Sequence, residues 1–215
     1  MLELGVKTLI AYLLGTLLGS LILGRLRGVD IRRMGSGNAG ATNALRTQGR
    51  AFGALVLLID VVKGAVAVRW LPAAALPGIG LDAEVSRQWL MLACGFAVIV
   101  GHVYPVWFGF RGGKGVATVV GVVGALQPSL LLPLFSCWFA VVLLTGYVGL
   151  ASMLAGVGLV IAVYVKGGAE NTPLLVFCSA ITAFVIYTHR GNIARMLAGT
   201  ESRARRLWLF RPRAA

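Results

Sequence analysis

GVATVVGVVGALQPSLLLPLFSCWFAVVLLTGYVGLASMLAGVGLVIAVYV, residues 115 to 165, contains no charged residue. It is too long for one bilayer crossing and leaves two readings, two long helices or three short ones. A helix rises 1.5 Å per residue and the hydrocarbon core is about 30 Å thick, so about 20 apolar residues make one crossing. Pro128 and Pro133 mark one break, because proline lacks a backbone donor and disfavours helix at the residue before it. Gly146-Tyr147 is a softer candidate for a second. Three helices here would average roughly 15 residues, or about 23 Å, so at least one must be short or thin the bilayer locally.

The rest of the chain decides between two and three. Of its 215 residues 58% are hydrophobic and 13% charged, and the mean hydropathy is +0.86. A soluble domain carries about 25% charged residues. Apolar runs recur along the whole length, so the chain reads as a polytopic membrane protein, one embedded unit over residues 1–215. The net charge of +13 would suit nucleic acid, but its distribution argues for orientation instead and no nucleic-acid partner is expected. Arg25, Arg27, Arg32, Arg33, Arg46 and Arg50 follow the first apolar segment. Arg111 and Lys114 form a second set, and Arg190, Arg195, Arg203, Arg205, Arg206, Arg211 and Arg213 fill the C-terminal tail. Under the positive-inside rule all three sets face the cytoplasm, and the tail can also meet anionic membrane lipids.

Spans are expected at about Leu4 to Leu23, Ala51 to Trp70, Gln88 to Trp107 and Pro173 to Thr188, with an external polar loop from Leu71 to Arg87 that carries Asp82 and Glu84. The first is long enough to span, and no A-x-A-like cleavage site follows it. Two helices in the uncharged stretch would put the arginine-rich tail outside; three put it inside. The expectation is therefore seven transmembrane helices, all-α, with the N-terminus outside and the C-terminus cytoplasmic.

The cytoplasmic loops hold the polar chemistry. In GSGNAGATNALR, residues 35 to 46, glycines permit positive φ and let backbone N–H groups approach a ligand. Ser36, Asn38, Thr42 and Asn43 add donors and acceptors, and Arg46 supplies a planar fork suited to phosphate or carboxylate. In GHVYPVWFGFRGGKGVAT, residues 101 to 118, the segment Gly112, Gly113, Lys114, Gly115 precedes a helix and resembles an anion cradle. It is not a Walker A loop: Phe108 stands where the first glycine belongs and Gly115 where the Mg²⁺-binding hydroxyl belongs. The third loop brings His189, Arg190 and Asn192 to the end of the last span. Several cations and few carboxylates suit a substrate with one or more phosphates.

Other chemistries find little support. Two histidines and the separated Cys94, Cys137 and Cys178 give no metal cluster, so no metal is expected. No H-x-x-x-x-D pattern starts at either histidine, where Trp107 and Ala194 stand five residues on. G-x-S-x-G is absent, and Asp30 and Glu201 are poor candidates for a base. Asp60 and Lys63 lie mid-span three residues apart, where they can share a helix face and neutralise each other. Such residues are often functional; here a structural pair is the preferred reading.

GSGNAGATNALR, GHVYPVWFGFRGGKGVAT and HRGNIARMLAGTE together resemble, in order and nearly end to end, the bacterial acyl-phosphate:glycerol-3-phosphate acyltransferase family (PlsY type). DVVKG at 60 to 64 belongs to the resemblance; Ala39 and Gly191 are minor variations on it. It implies a multi-pass enzyme of the cytoplasmic membrane, active at the inner face and without a cofactor. Such an enzyme transfers a fatty acyl group from acyl phosphate to the 1-hydroxyl of sn-glycerol 3-phosphate, giving 1-acylglycerol 3-phosphate (lysophosphatidic acid) and phosphate, the first acylation of phospholipid synthesis.

By that resemblance Ser36 and Arg46 match essential residues, with Asn38 and Thr42 in the polar shell. Gly112, Gly113, Lys114 and Gly115 match the glycerol-3-phosphate loop, His189 and Asn192 match residues important for activity, and Glu201 matches a structural glutamate. A mixed anhydride already has a good leaving group, so the site must align the alcohol, offset two phosphates and stabilise the oxyanion. With no obvious base, the donor's own phosphate is the preferred proton acceptor over His189 or an acyl-Ser36 route. The alternative from another class is a small-anion transporter with cytoplasmic phosphate-binding loops.

Overall fold

A computed structural model describes residues 1–205 and 207–210, with Gly168 and Ala169 described as backbone only. Arg206, Arg211 and Arg213 of the basic tail lie outside the described residues. The chain divides into two compact units, Met1–Pro128 and Ser129–Ala215. All regular structure among the described residues is helical.

The first unit contains α1 (Leu2–Gly15), α2 (Gly19–Leu26), α3 (Ala41–Gln48), α4 (Arg50–Arg69), α5 (Arg87–Val103) and α6 (Val116–Leu126). The second contains α7 (Leu131–Thr145), α8 (Val148–Gly167), α9 (Thr172–Thr188) and α10 (Arg190–Leu197). The uncharged stretch therefore holds three helices, of 11, 15 and 20 residues. Helix α6 stops two residues before Pro128, and α7 stops at Gly146, whose φ of 75° is open to glycine at no steric cost. The unequal lengths follow from where the breakers stand.

Among the described residues four helices are long and apolar enough to cross a membrane, or up to six spans if the pairs α1–α2 and α9–α10, bent by 45° and 53°, each count as one. The chain is thus an all-helical, multi-pass integral membrane protein. A continuous first span was expected from Leu4 to Leu23; instead it breaks at Thr16–Leu18. No proline causes this. The Thr16 hydroxyl donates to the Leu13 carbonyl at 2.6 Å, and the freed backbone groups find partners on α4. Lys63 Nζ reaches the Gly15 and Leu17 carbonyls at 2.9 and 3.1 Å, while Asp60 Oδ1 lies 3.4 Å from the Gly19 N–H. The cation thus meets the C-terminal end of α1 and the anion the N-terminal end of α2, as the two helix dipoles favour. Lys63 and Asp60 also pair with each other at 2.9 Å, and both are buried.

Small residues set the helix spacing inside this unit. A Cβ on Gly121 would collide with the Val61 carbonyl, and one on Gly64 with the Thr118 carbonyl, so α4 and α6 pack backbone to backbone. At the far end of α1, Lys7 pairs with Glu3 at 2.8 Å and donates to the Pro72 carbonyl at 2.8 Å. Glu3 also accepts from Arg87 and from the Asp82 N–H. That buried cluster ties the 71–86 loop to α1.

In the second unit the described tail folds back on α7. Ala204 N–H donates to the Gly146 carbonyl, Leu209 N–H to Leu143 and Trp208 Nε1 to Leu144, at 2.7, 3.0 and 3.2 Å. Arg203 lies over both Tyr147 and Trp208, 4.5 and 4.1 Å from the ring centroids. The last carbonyls of α7, which no helical N–H can reach, are satisfied by the tail.

Candidate active site

The first motif forms a tight loop between α2 and α3, organised from inside by Asn43. This side chain is 2% exposed. Its Nδ2 donates to the carbonyls of Ile31, Met34 and Asn38 at 3.1, 2.9 and 3.0 Å, and its Oδ1 accepts from Ser36 N–H at 3.0 Å. Gly35 and Gly37 have φ of 55° and 72°. A Cβ at Gly35 would also strike Asn43 Oδ1, so glycine is required there twice over. Ser20 on α2 donates to the Ala39 carbonyl at 2.7 Å and fixes the loop's other limb.

This scaffold leaves Ser36 exposed and Asn38 half-buried. Thr42 and Arg46, one turn apart on α3, are both exposed and share a face. The Arg46 guanidinium makes no hydrogen bond or ion pair among the described residues, so its fork is available to an anionic ligand.

Arg32 joins the first loop to the second. It grips Asp30 through Nε–Oδ1 and Nη2–Oδ2 contacts of 3.1 and 2.9 Å, while Nη1 donates to the Phe108 and Arg111 carbonyls at 3.0 and 3.4 Å. Those hydrogen bonds hold the Asp30 carboxyl below its ordinary range, against the opposing effect of burial, and raise Arg32. A lowered carboxylate contributes fully above its unfolded value and loses its contribution as pH falls through the lowered one. The clamp is therefore expected to stay flat between about pH 5 and 8. Asp30→Asn should loosen it throughout that window, by less than about 1 kcal/mol because the pair is partly exposed. Amide exchange over 108–115 at two pH values, corrected for intrinsic rates, checks this; a wild-type loop that loosens between them would sink the idea.

In the second loop the Gly112 and Gly113 N–H groups donate to the Val103 and His102 carbonyls, each at 3.1 Å. Their amides close the loop onto α5 rather than point at a ligand. What these glycines supply is room, since a Cβ on Gly112 would collide with the His102 carbonyl and one on Gly113 with the His102 ring. Half-buried Lys114 follows, and then Gly115, whose φ of 85° turns the chain into α6. The first-turn amides of α6 have no acceptor within the helix and carry the positive end of its dipole.

The third motif stands in the second unit. His189, 3% exposed, donates from Nδ1 to the Val185 carbonyl at 2.7 Å, because a carbonyl can only accept. In the neutral ring Nε2 is then the acceptor nitrogen. Asn192 Nδ2 donates to Glu201 Oε1 at 2.8 Å, and Arg195 Nε to Glu201 Oε2 at 2.6 Å. Gly149 on α8 makes the space for Asn192, whose Nδ2 would lie 2.9 Å from a Cβ there. Glu201 thus orients an amide and a guanidinium.

Asp60 and Lys63 sit at the α1–α2 break, as a mutually neutralising pair. Reading the sequence missed three partners: Arg32 as a bridge, Arg195 on Glu201, and His102, whose Nδ1 lies 2.9 Å from Lys63 Nζ and 3.5 Å from Asp60. Asp30 two residues before Arg32 was a legible signal for the first. Nothing in the spacing of 63 and 102 announces the last.

A model of the glycerol-3-phosphate acyltransferase family matches residues 6–199. A glycerol-3-phosphate acyltransferase of Aquifex aeolicus is 46% identical over 123 residues, 57% of this chain and 59% of that protein. One of Rhizobium meliloti is 47% identical over 122 residues, 56% and 54% respectively. The match thus spans between half and two thirds of the length of these curated relatives. Over the whole fold, the crystal structure of PlsY (YgiH), an integral membrane glycerol 3-phosphate acyltransferase, in its glycerol 3-phosphate form superposes with a TM-score of 0.80. It is 40% identical, with 93% of this chain and 94% of that one covered. Its lysophosphatidic acid form gives 0.78 at 39% identity. With a family match running from before the first motif to the third, the chain belongs to the glycerol-3-phosphate acyltransferase family.

Proposed function

We propose that this protein transfers a fatty acyl group from acyl phosphate to the 1-hydroxyl of sn-glycerol 3-phosphate, releasing lysophosphatidic acid and inorganic phosphate. The observation that carries this is the chain-long likeness to an acyltransferase structure in a glycerol 3-phosphate form. All of residues 1–215 would then serve one reaction as a single acyltransferase domain, without metal or cofactor.

In the proposed reaction the glycerol hydroxyl oxygen attacks the acyl carbonyl carbon and the anhydride C–O bond breaks. The hydroxyl proton passes to the departing phosphate, so no protein base is consumed. Arg46 and Lys114 offset phosphate charge, with Asn38 and Thr42 beside them. The loop of Gly112, Gly113, Lys114 and Gly115 receives glycerol 3-phosphate, Ser36 or Asn192 stabilises the oxyanion, and Glu201 holds Asn192. His189, whose Nδ1 donates to the Val185 carbonyl, is a further catalytic residue in this reading. A rate profile titrating near 6.5, the ordinary histidine value, and lost in His189→Gln would make His189 the base instead.

Seven transmembrane helices with the N-terminus outside remain the proposed topology, with the site on the cytoplasmic side of the cell membrane. Three findings support it. The bent pairs α1–α2 and α9–α10 each qualify as one span, α6 is a further apolar helix, and the tail packs at Gly146, one two-helix hairpin away along the chain. At 11 residues, α6 would cover only about 16 Å of the membrane.

The test is inorganic phosphate release by purified protein supplied with palmitoyl phosphate and glycerol 3-phosphate, with palmitoyl-CoA as the control donor. Release that needs both substrates is expected, and palmitoyl-CoA, which would free CoA rather than phosphate, should give no lysophosphatidic acid. Phosphate flux across sealed vesicles without release would replace the enzyme with a transporter.

A further inference from the structure

The buried charged pair and the glycine loop meet at one residue. His102 is 2% exposed and occupies the last turn of α5. On one side its Nδ1 lies 2.9 Å from Lys63 Nζ. An ammonium offers only N–H groups, so Nδ1 accepts and the neutral ring carries its proton on Nε2. The Nε2 edge abuts Gly113, at the spot where a Cβ would stand. The His102 carbonyl also receives the Gly113 N–H, at 3.1 Å. Ring and carbonyl of one residue therefore define where Gly113 sits.

Lys63 is itself fixed. Its ammonium touches four acceptors, the Gly15 and Leu17 carbonyls, Asp60 Oδ1 and His102 Nδ1, all between 2.9 and 3.1 Å. It cannot swing without leaving carbonyls unpaired in the packed protein interior, at the cost of a lost hydrogen bond for each. The ring orientation of His102 is set by this anchor, and the ring in turn sets the height of the loop above α5. The next residue is Lys114, the cation of the loop, and two residues on α6 begins.

We propose that His102 is a positioning residue for the substrate loop of residues 112–115. Anchored by the Asp60–Lys63 pair, it presses its Nε2 edge against Gly113 and so places Lys114 and the first turn of α6 for the phosphate of glycerol 3-phosphate. The inference rests on the assignment of that loop to glycerol 3-phosphate. The requirement for glycine at 113 is then specifically a requirement imposed by the histidine ring.

A two-residue cycle tests this. Gly113→Ala should raise KM for glycerol 3-phosphate at least about tenfold while KM for acyl phosphate stays within about twofold. Adding His102→Ala removes the ring that the new methyl strikes, so the double variant should recover at least about threefold relative to Gly113→Ala alone. Coupling of that size is normal for residues in contact and absent for independent ones. If His102→Ala does not give folded protein, His102→Asn is used in the same cycle, since it keeps an acceptor for Lys63 and withdraws the ring edge. Multiplicative effects in the cycle, or equal rises in both KM values, overturn the proposal. Wild-type protein that releases no phosphate from the two substrates defeats the functional assignment itself. A wild type that turns over, with no coupling in the cycle, defeats only the role of His102.

Discussion

Lys63→Met should lower stability by about 3–5 kcal/mol, the usual cost of removing one partner from a buried ion pair. In a chain of this length that corresponds to a fall of roughly 10 °C in the unfolding midpoint measured in detergent. The size follows from what stays behind. Asp60, with no exposed side-chain surface, keeps a carboxylate without its cation, and its Oδ2 already has no hydrogen-bond partner among the described residues. The Gly15 and Leu17 carbonyls lose the donor that satisfies them at the break between α1 and α2.

The double variant Asp60→Asn/Lys63→Met separates the two contributions. Removing both charges relieves the unpaired carboxylate but not the two carbonyls. It should therefore recover part of the loss, leaving about 1–3 kcal/mol, the cost of unsatisfied buried acceptors. A double variant no better than Lys63→Met would show that the break, not the charge, sets the cost. A single variant within about 1 kcal/mol of wild type would remove the pair from any account of stability.

This pair also shows what the sequence could and could not reveal. Asp60 and Lys63 lie three apart in an apolar run, and that spacing alone predicts their contact, because a helix brings i and i+3 together. The three helices of residues 115–165 were legible for a similar reason: proline and glycine act locally, and local rules survive translation into structure. The break in the first span was not legible. Gly15 and Gly19 permit it, but its cause is α4, whose Lys63 and Asp60 satisfy the exposed ends from more than forty residues away.

The candidate site divides along the same line. Ser36, Arg46, Lys114 and His189 are conspicuous because polar groups between apolar spans need a reason. Their supports are hidden because support is a matter of distance in space. Arg32 reaches the Phe108 and Arg111 carbonyls across an interval of more than seventy residues. Gly112 and Gly113 resemble part of an anion cradle in sequence, yet their N–H groups are used internally. Glycine-rich composition reports that backbone and neighbour come close; it does not report which neighbour.

Asn43→Ala is expected to reduce turnover at least about a hundredfold while the unfolding midpoint drops by only a few degrees. Four hydrogen bonds converge on this one side chain, and each is worth about 1 kcal/mol net. Water can take over the Met34 and Asn38 carbonyls in an exposed loop, so most of that energy is replaced. The geometry is not. Ser36 N–H would lose the acceptor that holds its residue, and Gly35 and Gly37 allow the freed loop many conformations. A displacement near 1 Å in a positioning group costs about a hundredfold in rate.

Two further variants make the argument specific. Ser36→Ala should abolish turnover with the loop intact, so its amide exchange over 34–43 stays as in the wild type. Asn43→Asp keeps an acceptor for Ser36 N–H but replaces the donors to three carbonyls with a carboxylate. It should therefore behave nearly as badly as Asn43→Ala, with faster exchange over the same residues. Turnover in Asn43→Ala within about threefold of wild type would mean that the loop is held by its glycines and Ser20 alone. Loss of turnover in both Asn43 variants with unchanged exchange would instead place Asn43 itself against the substrate, in contact with the reacting groups rather than beneath them.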